Sequence, residues 1–377
     1  MRVAIVTESF LPQVNGVTNS VLRVLEFLAS EGHQALVIAP ESDGGPHEYA
    51  GHRIKRVPAL PLQSILPIGL PIAVPTRKLE YLIDGFSPDI LHLASPFALG
   101  AYSARIARKL NIPALSVYQT DLAGFAKHYG FTAAHASLRK IVGKIHTNTS
   151  RTLAPSTAAC ADLRDCGVDN VHLWRRGVDT SLFHPNSRSS AVRESWGAPE
   201  KLIVGYIGRL ANEKRVHDLA ILDRDPRIQL VIVGDGPARE KLESELPNAR
   251  FTGFKSGAEL AQAYGSFDLF IHPGPNETFC QSVQEALASG TPCIVPTTGG
   301  PADLISNGST GYIINTSDPV ALVGAVEHFM ARTDHGDMRT MARDSVSERT
   351  WAKINGQLLG HYETLISAQR SHRKSAA

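Results

Sequence analysis

The segment PGPNETFCQSVQEALASGTP, from Pro273 to Pro292, holds residues whose types and order suit phosphate and sugar chemistry. A Gly/Pro/Asn loop runs into an apolar-periodic stretch that reads as a helix from about Cys280. Such a junction offers unbonded backbone N–H groups and the positive end of a helix dipole, which together favour an anion. Thr278, Phe279, Cys280 and Gln281 are expected to present those amides. Glu277 stands just before the helix and Glu285 eight residues later, which places the second carboxylate about two turns inside it. Two such carboxylates would take two ends of one elongated ligand; the alternative is a Glu277 that caps the helix and a Glu285 that is a solvated face charge.

A second segment, YIGRLANEKRVHDL from Tyr206 to Leu219, sets Arg209 and Lys214 five residues apart on a loop entering a helix. Arginine offers phosphate a planar fork and lysine a movable point charge, so the pair suits a diphosphate that gains negative charge as it leaves. Two solvated cations at a domain edge is the plainer reading. A third segment, ESFLPQVNGVTNSV from Glu8 to Val21, carries one glycine, Gly16, at a helix entrance, where it serves either close approach to a ligand or a tight turn. The dinucleotide fingerprint GxGxxG is missing here and after Ile228 to Val233, where GDGPARE has glycines only at Gly234 and Gly236. That argues against a dehydrogenase.

The elements that must position these segments form a repeated alternation. Met1 to Glu8 reads as a short apolar strand, after which Val17, Val21, Leu22, Val24, Leu25 and Leu28 fall on one helical stripe. His33 to Pro40, Pro88 to Ala94 and Ile112 to Tyr118 read as further strands, with helices near Thr76 to Phe86 and Ser103 to Leu110. Strands apolar on both faces and separated by helices predict a parallel sheet covered on both sides. After the polar stretch Asn186 to Ser190 the pattern restarts at Lys201 to Leu210 and runs on through Ile228 to Gly236, Ala249 to Phe254, Phe267 to Pro273, Thr291 to Pro296 and Thr310 to Asn315. The predicted fold class is α/β, two Rossmann-like doubly wound domains in series, with 1–170 as the first, 171–200 as a linker region and 201–350 as the second. The tail after about Ser367 reads as disordered.

With 377 residues, 38 Lys and Arg against 36 Asp and Glu, and 43% hydrophobic residues, the chain has the composition of a globular protein of two domains. A formal net charge of +2 gives no case for nucleic acid. The longest uncharged apolar stretch, Ser64 to Val74, is too short for a bilayer and is broken by Pro67 and Pro71. The run Val3 to Val6 is too short for a secretory leader, so a cytoplasmic protein is expected. Cys160, Cys166, Cys280 and Cys293 form no CxxC pair and no metal-site spacing with histidine, which predicts reduced, mostly buried thiols.

Together, PNETFCQSVQEALASGTP, YIGRLANEKRVHDL, RRGVDTSLFHP and the VNGV loop resemble the retaining GT-B glycosyltransferases of family 4 over nearly the whole chain. Within that group the sequence is similar to the actinobacterial GDP-mannose-dependent α-mannosyltransferases that build phosphatidylinositol-type and related glycolipids. The resemblance implies an interdomain cleft, an acceptor-binding first domain completed by a last helix over about 351–377, and a nucleotide-sugar-binding second domain. It implies that Glu277 contacts the transferred sugar, Glu285 the nucleotide ribose, and Arg209 and Lys214 the diphosphate, while Gly16 of the opposite domain closes on it. It implies no cofactor, the nucleotide sugar being a substrate. Many relatives carry His-Thr after the strand at Ile112 to Tyr118, the His touching the donor sugar, whereas this chain reads Gln119-Thr120. Glutamine hydrogen-bonds a sugar but does not become cationic. Gln119, Asp121 and His128 are the candidates for the sugar or acceptor contact.

Retaining hydrolases use a carboxylate nucleophile close to a second carboxyl group, and no such pair is evident here. The resemblance implies instead attack on the face the nucleotide leaves, with the departing phosphate taking the acceptor's proton, which makes Arg209, Lys214 and Glu277 the catalytic candidates. The one DxD string, Asp223-Arg224-Asp225, precedes a strand and reads as a surface turn, so metal-independent transfer is expected. Between Ala101 and Arg151 the basic residues Arg105, Arg108, Lys109, Lys127, Arg139, Lys140, Lys144 and Arg151 face Asp121 alone. Phe131 to His146 mixes Leu138, Ile141, Val142 and Ile145 with three of those cations, a composition that suits an anionic membrane surface and a lipid acceptor, or an ordinary helix with a solvated basic face. The competing functions are a UDP-sugar-dependent retaining enzyme with another acceptor, and a non-catalytic nucleotide-sugar-binding protein.

Overall fold

Two parallel sheets divide the chain into two units, Met1–Arg176 with Ala352–Ala377, and Gly177–Trp351. The computed structural model describes residues 1–60, 72–73, 76–121, 132–197 and 200–375.

In the first unit the strands are β1 (Arg2–Thr7), β2 (Gln34–Pro40), β3 (Glu48–Tyr49), β4 (His52–Val57), β5 (Ala59–Leu60), β6 (Ile72–Ala73), β7 (Ile90–Ala94), β8 (Ala114–Val117), β9 (Arg151–Ala154) and β10 (Val171–Leu173). The main sheet has the order β10-β9-β8-β7-β1-β2-β4-β3, with only β3 antiparallel to its neighbour, and β5 pairs with β6 apart from it. The helices are α1 (Gly16–Ser30), α2 (Arg77–Phe86), α3 (Ala98–Lys109), α4 (Thr132–Thr147) and α5 (Thr157–Asp165). Strand β1 shows why the strand runs are apolar on both faces. Val3 and Ile5 pack with Val21, Val24 and Leu25 of α1, while Ala4 and Val6 pack with Leu79 and Ile83 of α2 and Leu99 of α3.

The second unit repeats the scheme with β11 (Leu202–Ile207), β12 (Ile228–Val233), β13 (Arg250–Gly253), β14 (Leu269–Ile271), β15 (Cys293–Pro296) and β16 (Gly311–Ile314), all parallel in the order β13-β12-β11-β14-β15-β16. Its main helices are α6 (Arg239–Glu245), α7 (Gly257–Ser266), α8 (Gln281–Ala288), α9 (Pro319–Met330) and α10 (His335–Ser347). Both sheets reverse the direction of strand addition once, between β1 and β7 and between β11 and β14. In open parallel sheets ligands bind beyond the carboxyl ends of the strands at that reversal.

Several boundaries differ from expectation. Val171–Leu173 is the edge strand of the first sheet, and the chain from Gly177 packs into the second unit, so 171–200 is not a free linker. Arg188 and Arg193 both pair with Asp268, and Ser189 N donates to Ser266 Oγ at 3.0 Å, which fixes that stretch. The tail is a continuation of α11 (Trp351–Ser375) rather than disordered after Ser367, because Gln369 and Arg373 donate to Asn111 and Arg370 pairs with Asp89 at 3.4 Å. Among the described residues no helix is long and apolar enough to cross a membrane, and all four cysteines are free thiols.

Helix α11 completes the first core. Ile354, Leu358 and Tyr362 join the face that holds Val3 and Ile5, and Trp174 Nε1 donates to Ile354 O at 2.9 Å. The Tyr362 hydroxyl and His92 Nδ1 share a 2.5 Å hydrogen bond inside that core. Burial pushes the His92 pKa down to about 3, so the ring is neutral. Tyr362→Phe leaves that nitrogen unpartnered at no change of shape and should lower unfolding stability by about 1–3 kcal/mol. Denaturant titration checks this, and an unchanged midpoint would mean the bond contributes nothing.

Candidate functional site

At the reversal in the second sheet, β11 runs into Gly208-Arg209 and β14 into His272-Pro273-Gly274. The Tyr206 ring stacks on His272 with centroids 6.3 Å apart, and its hydroxyl donates to Arg209 O at 3.1 Å. A Cβ on Gly274 would lie 3.2 Å from Lys214 Cα, so glycine lets the two loops approach. Across that approach Lys214 Nζ donates to Glu277 Oε1 in an ion pair, and His272 Nε2 lies 3.6 Å from the same oxygen. The paired side chains are 22% and 21% exposed, half-sheltered but open to a ligand.

Electrostatics keep this cluster in a defined state. Burial acts to discharge Lys214, but the charge and hydrogen bond of Glu277 outweigh it and hold the ammonium pKa above its usual value. Burial, helped by Lys214 and opposed by Glu277, pushes His272 down to about 4, so it is neutral. The ligand atoms of His272, Glu277 and Cys280 lie within 4.8 Å of one another. They fit a divalent cation poorly, since Lys214 already occupies the carboxylate and burial raises the Cys280 thiol to about 12. Of the DxD string, Asp223 accepts from Asn248 N at 3.1 Å and Asp225 pairs with Arg227.

The Glu277 loop is braced from behind. Gly300 N donates to Glu277 O at 2.8 Å, and Gly299, at φ 79°, lies so close that a Cβ would come 2.8 Å from Pro275 O. Thr316 Oγ1 donates to Pro273 O at 2.8 Å. Helix α8 then starts at Gln281, after Cys280 in the left-handed region at φ 81°. The amides without an intrahelical partner therefore begin at Cys280 and Gln281, while Thr278 and Phe279 lie in the bend before the helix, with Phe279 buried in the core. Glu285 sits just over one turn inside α8 rather than two. It is not a solvated face charge: Tyr264 Oη donates to it at 3.0 Å, and burial raises its pKa to about 7 against the pull of the Tyr264 and Gln281 hydrogen bonds. Arg209 is more open, 55% exposed and paired with the buried Glu213. Its loop passes into 3-10 turns at Asn212–Lys214 and Val216–Leu219, not directly into an α-helix.

In the first unit Gly16 opens α1 beyond the carboxyl end of β1, and Gln119 follows β8. Arg176 donates to both. Asp121 is drawn elsewhere, accepting from Tyr118 Oη at 3.2 Å beside Arg139, Asp162 and Cys166. His128 lies outside the described residues. Sequence reasoning assigned no role to His272 or Arg176. The position of His272 directly after an apolar strand run was the available signal.

Residues 14–182 match the family model described as Glycosyltransferase Family 4, and residues 189–345 the one described as Glycosyl transferases group 1. The chain is 48% identical over 374 residues to a GDP-mannose-dependent alpha-mannosyltransferase of Corynebacterium glutamicum, covering 97% of this chain and 90% of that one. It is 47% identical over 372 residues to the protein of the same name in Mycolicibacterium smegmatis, covering 97% and 98%. The chain belongs to glycosyltransferase family 4. Its fold is similar to that of HepE from Anabaena solved in complex with UDP, with a TM-score of 0.79 at 17% identity, covering 97% of this chain and 100% of that one. Both halves of this GT-B glycosyltransferase are thus the doubly wound α/β units that the strand pattern predicts.

Because the folded pKa of Glu285, about 7, exceeds the ordinary 4.5, the folded enzyme binds this proton more tightly than the unfolded chain does. The contribution is fully present below the unfolded pKa and is lost as pH rises through about 7; Glu8, also raised to about 7 by burial, acts in the same direction. Glu285→Gln should therefore raise the melting temperature at pH 8 by roughly 2–4 °C for each kcal/mol of relief, with little change at pH 4.5. A scan at both pH values checks this, and equal shifts at both would contradict it.

Proposed function

We propose that this glycosyltransferase moves an α-mannosyl residue from GDP-mannose, with retention, to a glycolipid acceptor at the cytoplasmic face of the membrane. The observation that carries the donor assignment is the near-half identity, over almost the full length, to proteins named as GDP-mannose-dependent alpha-mannosyltransferases. In this reading the acceptor oxygen attacks the anomeric carbon on the face the nucleotide leaves. The bond to the diphosphate breaks as the new glycosidic bond forms, and the acceptor's proton passes to the departing phosphate.

The residues take roles that their geometry suits. Lys214 carries three donors, so it keeps one on Glu277 and turns the others to the leaving phosphate. Arg209 and the amides at Cys280 and Gln281 add fixed positive ends where charge develops. Glu277 is assigned to the transferred sugar and Glu285 to the ribose hydroxyls. Positioning and charge stabilisation, not a protein nucleophile, supply the rate.

A lipid acceptor is supported by the face of α4 on which Lys140, Ile141 and Lys144 are exposed, Ile141 by 45%, while Val142 and Ile145 are buried. Cations beside an exposed aliphatic suit an anionic bilayer surface. The full protein should sediment with anionic vesicles at low ionic strength and detach in salt, and Lys140→Glu with Lys144→Glu should abolish this. No vesicle binding by the unaltered protein would favour a soluble acceptor.

The function itself is tested with a panel of nucleotide sugars, with and without a lipid extract. GDP release from GDP-mannose, increased by lipid and insensitive to chelator, is expected; release only of UDP from UDP-sugars, or loss of activity to chelator with recovery in Mn²⁺ or Mg²⁺, would overturn the donor or the metal assignment respectively. Lys214→Ala should lower turnover by about 10²-fold or more, the scale of losing one preorganised donor. Unchanged turnover would remove Lys214 from the chemistry.

A further inference from the structure

On the first unit, toward the amino ends of its strands and so away from the edge at which such sheets take substrates, basic side chains from four elements come together. Arg151 begins β9, Arg164 stands in the last turn of α5, His172 is the middle residue of the edge strand β10, and His361 lies on α11. Arg151 Nη1 donates to His361 Nδ1 at 2.8 Å, and the two imidazole rings meet edge to face with centroids 5.6 Å apart. The partners fix both tautomers. A guanidinium only donates, so His361 Nδ1 is bare and the ring proton sits on Nε2. Asn170 commits its NH2 to Ser150 O and turns Oδ1 to His172, so His172 donates from Nε2 at 2.8 Å and its Nδ1 is bare.

No carboxylate among the described residues acts on either ring: the charges that reach His172 are Arg151 and Arg164, and those that reach His361 are Arg151 and His172. Burial first, and these cations second, hold both imidazoles below their usual pKa, His361 at about 4, so the rings are neutral beside two permanent cations. Arg151 gives one of its donors to His361, and its Nε is buried with no acceptor. Planar forks of this kind match the oxygens of a tetrahedral anion. We propose that Arg151, Arg164, His172 and His361 form a binding site for a dianionic phosphate or sulfate group. A dianion there reverses the field on the rings and attracts the proton that the guanidiniums repel. His172 takes it at the bare Nδ1, and His361 takes it once Arg151 turns from that ring to the anion. Binding is thus coupled to proton uptake: it is strongest at low pH and weakens as pH rises through the ring pKa values of the occupied site.

The test follows the ring signals of His172 and His361 by NMR through a pH titration of the full chain, in sodium sulfate and in sodium chloride of matched ionic strength. Sulfate stays a dianion throughout, so the protons counted belong to the protein. It should raise the two midpoints by about 1–3 pH units, the effect of an opposite charge in contact, while chloride leaves them nearly unchanged. Calorimetric affinity for sulfate should grow about tenfold or more from about pH 7.5 to about pH 5. Arg164→Ala, at an exposed position, should weaken sulfate by about tenfold or more, the scale of one hydrogen bond to a charged group. His172→Gln combined with His361→Gln should keep the binding seen at the higher pH and flatten its pH dependence. Equal movement of the rings in the two salts, which is general screening, or undiminished affinity in Arg164→Ala would overturn the site.

A phosphate group reaches such a site either on a soluble molecule or on a lipid. Vesicles of phosphatidylcholine with phosphatidic acid, added to the protein carrying Lys140→Glu and Lys144→Glu so that α4 does not contribute, separate the two sources. No sedimentation is expected, which assigns the site to a soluble phosphate; sedimentation that Arg164→Ala then removes would assign it to a phosphomonoester lipid, and both results keep the site. None of these readouts needs turnover, so they stand or fall apart from the donor and acceptor assigned above.

Discussion

An ammonium and a carboxylate joined across the reversal of a parallel sheet organise the second unit. Lys214 comes from the loop after β11 and Glu277 from the loop after β14, and their pairing joins the two loops through charge. The glycines around it carry the geometry: Gly274 lets the loops touch, and Gly299 and Gly300 brace the backbone of 275–279 from the far side. Removing either partner would leave a half-buried charge without its counterion, which is costlier than never having buried the pair. The pair therefore holds two loops and at the same time stores a cation whose charge burial alone would weaken.

The first unit uses the same strand order for a different end. At its reversal the residue after β1 is Glu8, and its carboxylate turns inward to accept from Phe97 N at 3.0 Å and Gly100 N at 3.1 Å, capping α3. The anion is spent on a helix terminus, and burial raises it to about 7 despite those bonds. The cation at that edge is Arg176, bonded to a carbonyl and an amide oxygen. One topology thus supports a charged pair in the second unit and a guanidinium brace in the first.

Strand runs such as Val3–Val6 and Leu230–Val233 are legible in the sequence because burial on both faces removes polar positions from them. Strand β4 was not singled out, since the exposed Arg53 and Lys55 and the half-buried Arg56 break up its buried His52, Ile54 and Val57 into no apolar run. Arg209, Lys214, Glu277 and Glu285 were legible by type and spacing, and so was the start of α8 near Cys280; the left-handed backbone at Cys280 was not, because no glycine announces it. The order of the tail depends on Asn111 and Asp89, far away in the chain, and no local pattern carries that information. Arg176 lies in the RRGVDTSLFHP stretch but has no role legible there, for a similar reason: its partners at Gly16 and Gln119 meet only once the sheet is assembled.

The claim on which the account rests is that Lys214, held charged by Glu277, grips a diphosphate. The direct measurement is calorimetric affinity for nucleoside monophosphates and diphosphates, with guanosine and uridine as bases, in the unaltered protein and in Lys214→Ala. The account predicts that the diphosphate binds much more tightly than the monophosphate whichever base is used, and that the variant erases most of that difference. A variant that keeps the full preference for the diphosphate would show that the second phosphate is bound elsewhere.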